Sequence, residues 1–137
     1  MPLLIEADYE HLQEINQAYE EDEPTRSLIL RQFALPEGVY AANGTPATHA
    51  DVLFQIPANY NLSGSDMFWV SPYLTLADGS IIPNANEGAD PRTVNGQRFE
   101  RWSRHWGHLR WEPRVDNVET LLNRLVWALH FPKPQER

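Results

Sequence analysis

The chain contains no cysteine. That absence excludes disulfides, thiolate metal sites and any thiol nucleophile. Long apolar runs are missing as well: no stretch of about 18 apolar residues is available for a membrane span. The N-terminal "MPLLIEADYE" lacks the basic start and long apolar stretch of a secretory signal. A cytoplasmic protein is therefore expected, with Asn43-Gly44-Thr45 and Asn61-Leu62-Ser63 as accidental glycosylation sequons. Positive charge is scarce too. Eleven Lys and Arg against nineteen Asp and Glu leave a net charge of -8, which argues against general nucleic-acid binding, because neutralising phosphates takes Lys and Arg.

What is present is enough for an ordinary soluble protein. At 137 residues, 42% hydrophobic and 22% charged, the chain fits one domain, over residues 1–137, that buries a core without covalent staples. Its charge is polarised. Residues 1 to 23 carry Glu6, Asp8, Glu10, Glu14, Glu20, Glu21, Asp22 and Glu23 with no Lys or Arg, whereas six of the eleven basic residues lie between Arg92 and Arg114. Each pole is suited to a different partner.

Tyr9, Leu12, Ile15 and Tyr19 recur at spacings of three and four and predict a helix over 7–19 with acids on its outer face. "RSLILRQFAL" and "GVYAA", separated by Pro36-Glu37-Gly38, read as two strands. "HADVLFQIP" alternates Val52, Phe54 and Ile56 with Asp51, Leu53 and Gln55, and "DMFWVSPYLTL" reads as a further strand. Residues 79–97 hold eight Gly, Pro and Asn residues, which predicts a long irregular loop. The last element is a helix in "DNVETLLNRLVWALHF". Asp116 and Glu119 form a capping-box pattern, Val118, Leu121, Leu122, Leu125 and Leu129 share one face, and Pro132 and Pro134 stop it. The order is helix, about four antiparallel strands, a long irregular stretch and a helix packed on the sheet: an α+β fold with segregated elements.

The chemically dense segment is "RFERWSRHWGHLRWEP", residues 98–113, with three Trp, four Arg and two His around a single Ser. Trp102, Trp106 and Trp111 read first as core and apolar cover. Arg interleaved with aromatic rings also suits single-stranded nucleic acid, a reading opposed by the net acidity and by the lack of any RRM, KH or OB signature. As metal ligands, His105 and His108 would need a third partner such as His49 and a spacing motif that is absent. No cofactor is called for.

Taken together, the first helix, the strand meander, Ile56-Pro57 followed by Tyr60, the irregular stretch and Trp111-Glu112-Pro113 leading into a helix resemble the ubiquitin-conjugating-enzyme (UBC) fold. The likeness is greatest to the divergent prokaryotic branch called prokaryotic family E. That branch resembles components of bacterial operons that also carry an activating enzyme, a ubiquitin-like protein and a peptidase. "IPANYN" keeps the family's Pro and Tyr as Pro57 and Tyr60 but has Asn61 for its second proline. In the family the catalytic cysteine lies eight residues before the Trp of Trp-x-Pro. Here that position is Ser103. The family's His-Pro-Asn motif is echoed by Ile82-Pro83-Asn84, set further upstream of Ser103 than in the family, with Asn95 as an asparagine nearer to Ser103.

The resemblance implies a carrier that takes the C-terminal acyl group of a ubiquitin-like protein from an activating enzyme and passes it on. A hydroxyl in that role forms an oxyester, less activated than a thioester, and needs a general base within hydrogen-bond reach. His105 and His108 are the candidates. Arg101 and Arg104, with Trp102 and Trp111, are candidates for holding the ubiquitin-like tail or another partner, and Arg101 or Arg104 for offsetting a developing oxyanion. By the same resemblance the acidic first helix, with Glu10, Glu14 and Glu21, implies docking of the activating enzyme. The alternative is a cysteine-less scaffold of the same fold that binds the ubiquitin-like protein or activating enzyme without catalysis.

Overall fold

The computed structural model describes residues 2–106 and 109–133. His108, one of the two candidate bases, lies outside the described residues. Helix α1 (Glu6–Glu14) starts where the Asp8 carboxylate turns back to accept the Ile5 N–H at 3.4 Å, which supplies a partner for an otherwise unpaired donor at the helix start. It ends earlier than the apolar repeat suggests. Asn16 takes a left-handed conformation (φ 55°), and the chain reverses into strand β1 (Tyr19–Asp22). Tyr9 and Tyr19 still meet, with ring centroids 6.0 Å apart, but across this reversal instead of along one helix.

The remaining strands are β2 (Ser27–Ala34), β3 (Tyr40–Ala42), β4 (Thr45–Pro46), β5 (His49–Gln55), β6 (Phe68–Ser71), β7 (Thr75–Leu76), β8 (Arg92–Val94) and β9 (Gln97–Trp102). The main sheet runs β1-β2-β5-β6-β9-β8, all neighbours antiparallel, while β4-β3-β7 forms a small second sheet. Among the described residues the main sheet therefore has six strands where about four were expected. The expected strand in "GVYAA" is β3 of the small sheet, while β1 comes from the supposed end of the first helix, β8 from the supposed loop and β9 from the start of the irregular stretch. Within residues 79–97, Asn95 and Gly96 both have positive φ (49° and 81°), the conformation of a tight hairpin turn whose twist suits flanking strands. Ile82 and Ala85 bury themselves in the core and anchor the irregular part.

Both faces of the sheet are covered. On one, Leu28, Leu30, Val52, Phe54, Phe68, Val70 and Trp102 join the main core. On the other, Ile29, Leu53, Trp69, Val94 and Phe99 form a second cluster. This is why Leu53, expected to alternate outward, is buried. The main core is closed by helix α2 (Val118–His130), whose five expected apolar residues are all buried. Its cap is Asn117, whose side-chain oxygen accepts the Glu119 N–H at 3.0 Å. Asp116, expected in that role, instead accepts the Glu112 N–H (2.7 Å) and the Thr120 hydroxyl (3.1 Å).

The two helices and the Pro57–Tyr60 turn meet at Asp8, which is only 1% exposed. Besides the Ile5 N–H, its carboxylate accepts the Tyr60 hydroxyl at 2.6 Å and the Val118 N–H of α2 at 3.0 Å. Burial, reinforced by this contact with Asp8, pushes the Tyr60 hydroxyl well above its ordinary pKa. Hydrogen bonds to a charged group contribute about 1.5–3 kcal/mol each. Tyr60→Phe is expected to lower the unfolding free energy in urea by about that amount. Asp8→Ala, which strands three donors at once, is expected to cost more than Tyr60→Phe does in the same titration.

Candidate active site

The turn after β5 and the Trp111-Glu112-Pro113 segment, far apart in sequence, pack on each other. The Trp111 ring lies 5.9 Å from that of Tyr60, and its Nε1–H donates to the Asn61 carbonyl at 2.9 Å. Asn61 in turn donates from Nδ2 to the Asp116 carbonyl (2.8 Å) and accepts the Arg114 N–H (3.1 Å). The Tyr60–Asn61 peptide bond is cis. Gly64 supplies the floor beneath Trp111: a Cβ at this position would overlap the six-membered ring. Arg124 of α2 completes the bracket, its guanidinium 5.4 Å from the Trp106 ring and 5.9 Å from Trp111, and it donates to the Leu109 carbonyl. Cations held over Trp rings in this way are attracted by the ring quadrupole.

Ser103 is the first residue beyond β9. Its N–H donates to the Asn84 carbonyl at 2.9 Å. Asn84 itself has φ 57°. The sequence interval between Asn84 and Ser103 thus disappears in space, because the β8–β9 hairpin occupies most of the residues between them and returns the chain to its starting point. Arg104 then fastens the junction. Its Nη1 donates to the carbonyls of Ser103 (2.9 Å) and Pro83 (3.2 Å), and its Nη2 to the carbonyl of Pro132 beyond α2 (3.2 Å). The guanidinium is stacked 5.0 Å from the Trp102 ring, and burial lowers its pKa from the ordinary value. Among the described residues its Nε has no hydrogen-bond partner.

Between this junction and α2 lies an open cleft of about 860 Å³. Ser103, Asn84 and His105 line one side. The other is a single row of α2, Thr120, Asn123, Arg124 and Trp127, at helical spacings that share a face. Trp106 and Trp127 meet edge to face at 5.8 Å. At the mouth, the Ser103 Oγ is 3.2 Å from His105 Nε2, and His105 Nδ1 is 3.6 Å from Asp66 Oδ2. With the ring proton on Nδ1, facing the carboxylate, Nε2 is the acceptor and the serine hydroxyl donates. Asp66 is held in place through its own backbone, which accepts the Trp106 Nε1–H at 3.0 Å.

The structure therefore brings together Ser103, His105 and Asn84, and adds Asp66, which no motif marks. A sharper sequence signal existed for the far wall: Trp127 and Arg124 sit outside the apolar stripe of α2, where solvated residues are the rule. Other candidates lie elsewhere. Trp102 is buried between Tyr40 and Phe68, with ring centroids at 5.9 and 5.4 Å, and faces the core. Arg101 is on the opposite face of β9 and pairs with Asp90 at 3.4 Å. Arg98 pairs with the buried Glu100 at 3.1 Å, and Arg92 lies over Trp69 at 4.9 Å. The arginines of residues 92–104 are thus spread over both faces of the sheet and do not form one stripe. Glu10 and Glu14 are exposed on α1. Glu21 is engaged internally, accepting the Tyr9 hydroxyl (2.9 Å) and the Leu3 N–H (3.1 Å).

Among the described residues no group of three or more His, Asp or Glu side chains is arranged to hold a metal ion. No described helix is long and apolar enough to cross a membrane. An N-terminal helix, an antiparallel sheet and a C-terminal helix, with a tryptophan-braced cleft, make up an α+β protein. A family model described as Prokaryotic E2 family E matches residues 4–131, nearly the whole chain, and the chain belongs to that family. No curated protein and no solved structure matches it. Membership carries, in general terms, an E2-like role in a ubiquitin-like pathway, in which a ubiquitin-like protein and an activating enzyme are the partners the family implies.

The close fit at Gly64 yields a direct check on the bracket. Gly64→Ala is expected to displace the Trp111 ring and to destabilise the fold by about 1–3 kcal/mol, the usual cost of overpacking. Both effects are readable from tryptophan fluorescence during a urea titration.

Proposed function

We propose that the protein accepts the C-terminal acyl group of a ubiquitin-like protein from an activating enzyme and carries it as an oxyester on Ser103. The observation that carries this reading is the contact between Ser103 Oγ and His105 Nε2, 3.2 Å long, at a cleft of about 860 Å³ that Asn84 also lines. His105 takes the hydroxyl proton as Oγ attacks the acyl carbon, and returns it to the departing group of the activating enzyme. Asn84 lines the same cleft, and its carboxamide is the kind of side-chain donor suited to a developing oxyanion. The ubiquitin-like tail runs along the cleft, over Trp106, Leu109 and Trp127. Exposed Glu10 and Glu14 give the activating enzyme an acidic surface to dock on. Arg104 acts indirectly, by holding the Ser103 carbonyl.

A second reading, a non-catalytic scaffold, draws support from the apolar surface beside the cleft, where Leu109, Trp127 and Phe131 are 52%, 38% and 48% exposed. Such a surface suits docking whether or not Ser103 reacts. The two are separated by mixing the protein with its activating enzyme, ATP and ubiquitin-like protein. An adduct that survives thiol reductant, is cleaved by base and is lost in Ser103→Ala is the expected outcome, with His105→Ala slowing its formation about 10²–10⁴-fold. A stable complex without covalent product, or an adduct that persists in Ser103→Ala, would remove the carrier reading.

A further inference from the structure

The imidazole of His105 has partners on both nitrogens. Nε2 faces the Ser103 hydroxyl at 3.2 Å and Nδ1 faces the Asp66 carboxylate at 3.6 Å. That order, hydroxyl to Nε2 and carboxylate to Nδ1, turns serine into a nucleophile on several unrelated folds, and it is recognised by geometry instead of sequence position. The carboxylate holds the ring in the tautomer whose Nε2 is free to take a proton, and stabilises the imidazolium that results. Distances at the long end are usual before substrate is bound and shorten in the reacting complex. Asp66 and His105 are held from the same side, since Trp106, the residue after His105, donates its indole N–H to the Asp66 carbonyl at 3.0 Å.

A base so placed does not distinguish between the first half of an acyl transfer and the second. Once Ser103 is acylated its hydroxyl proton is gone, and Nε2 faces whatever next enters the site. The relay is open to solvent, with the His105 and Asp66 side chains 66% and 64% exposed, so water is always there. We propose that Ser103, His105 and Asp66 make the protein a serine-type acyl hydrolase, acting on activated esters and thioesters. For its natural substrate this rests on the carrier reading: the acyl group is then the C-terminus of the ubiquitin-like protein, released as the free acid.

In the first step the Ser103 Oγ bonds to the acyl carbon and its proton passes to His105 Nε2. The bond from the acyl carbon to the leaving sulfur or oxygen breaks, and His105 returns the proton to the leaving group. In the second step a water oxygen bonds to the acyl carbon while His105 takes one of its protons. The bond from the acyl carbon to Oγ then breaks and Oγ regains the proton from His105. The sum is thioester or ester plus water giving carboxylic acid plus thiol or alcohol, with nothing oxidised or reduced. Ser103 and His105 are catalytic residues here. Asp66 acts through His105 and is a positioning residue.

The test uses the full chain with p-nitrophenyl acetate, which needs no partner protein, and in parallel the ubiquitin-like adduct. The wild type is expected to release p-nitrophenol with turnover and to show a transient acetyl group on Ser103 by mass spectrometry. Ser103→Ala is expected to abolish both. His105→Ala is expected to slow release about 10²-fold or more. Asp66→Asn should lower kcat several-fold with KM unchanged, and Asp66→Glu should restore part of it, a pattern that mere loss of folding does not produce. Release at an unchanged rate in Ser103→Ala would come from imidazole alone and would overturn the proposal. An adduct of the ubiquitin-like protein that forms on Ser103 and does not decay in buffer would overturn it too, while leaving the carrier reading intact. Ser103-dependent turnover of the small ester without any such adduct would sink the carrier reading and keep the hydrolase. Neither product nor adduct would end both.

Discussion

The hydrogen bond from the partly buried Tyr60 to Asp8, 2.6 Å long, ties the first helix to the turn that supports the cleft. A carboxylate taken out of water has to find donors, and Asp8 finds them in three separate segments: the start of α1, the turn after β5 and the first residue of α2. From there the contacts run outward in sequence. Tyr60 packs on Trp111, Trp111 and Trp106 flank the Arg124 guanidinium, and Trp106 holds Asp66 beside His105. The Ser103 residue is only partly buried, but it stands at the end of a chain of contacts whose other end, Asp8, is fully buried.

Much of this could be read from the sequence, and what could not has specific physical causes. The apolar stripe of α2 follows from periodicity, and each stripe residue of the helix is buried; β2 follows from its β-branched and aromatic composition and β5 from its alternation. The position of Ser103 follows from its spacing to Trp111. The end of α1 did not follow, because Tyr19 continues the helical repeat while Asn16 adopts a left-handed φ that composition does not announce. Strand β8 was hidden among turn formers, two of which, Asn95 and Gly96, make the turn itself. Asp66 carries no pattern at all. It reaches His105 through tertiary packing alone, and only coordinates reveal such a pair.

On the proposed reading, an oxygen in place of sulfur changes what the surroundings have to do. A thiolate is available near neutral pH without help, whereas a hydroxyl needs a base to attack and a proton to leave. Around Ser103 stand an imidazole nitrogen at 3.2 Å, a carboxylate behind it and Asn84 in the same cleft. His105 and Asp66 stand in water, where charge interactions are weakened by the high dielectric. The polypeptide proposed to lie along the cleft would exclude that water and strengthen each of them, which ties the reactivity proposed for the serine to the occupancy of the cleft.

Arg104 joins the carbonyls of residues 83, 103 and 132, one of which lies beyond the last helix. That carbonyl follows α2, so docking of the helix fixes the Ser103 backbone through Arg104 and supplies one wall of the cleft in the same event. A chain in which α2 is undocked lacks both the third anchor of Arg104 and the row Thr120, Asn123, Arg124 and Trp127.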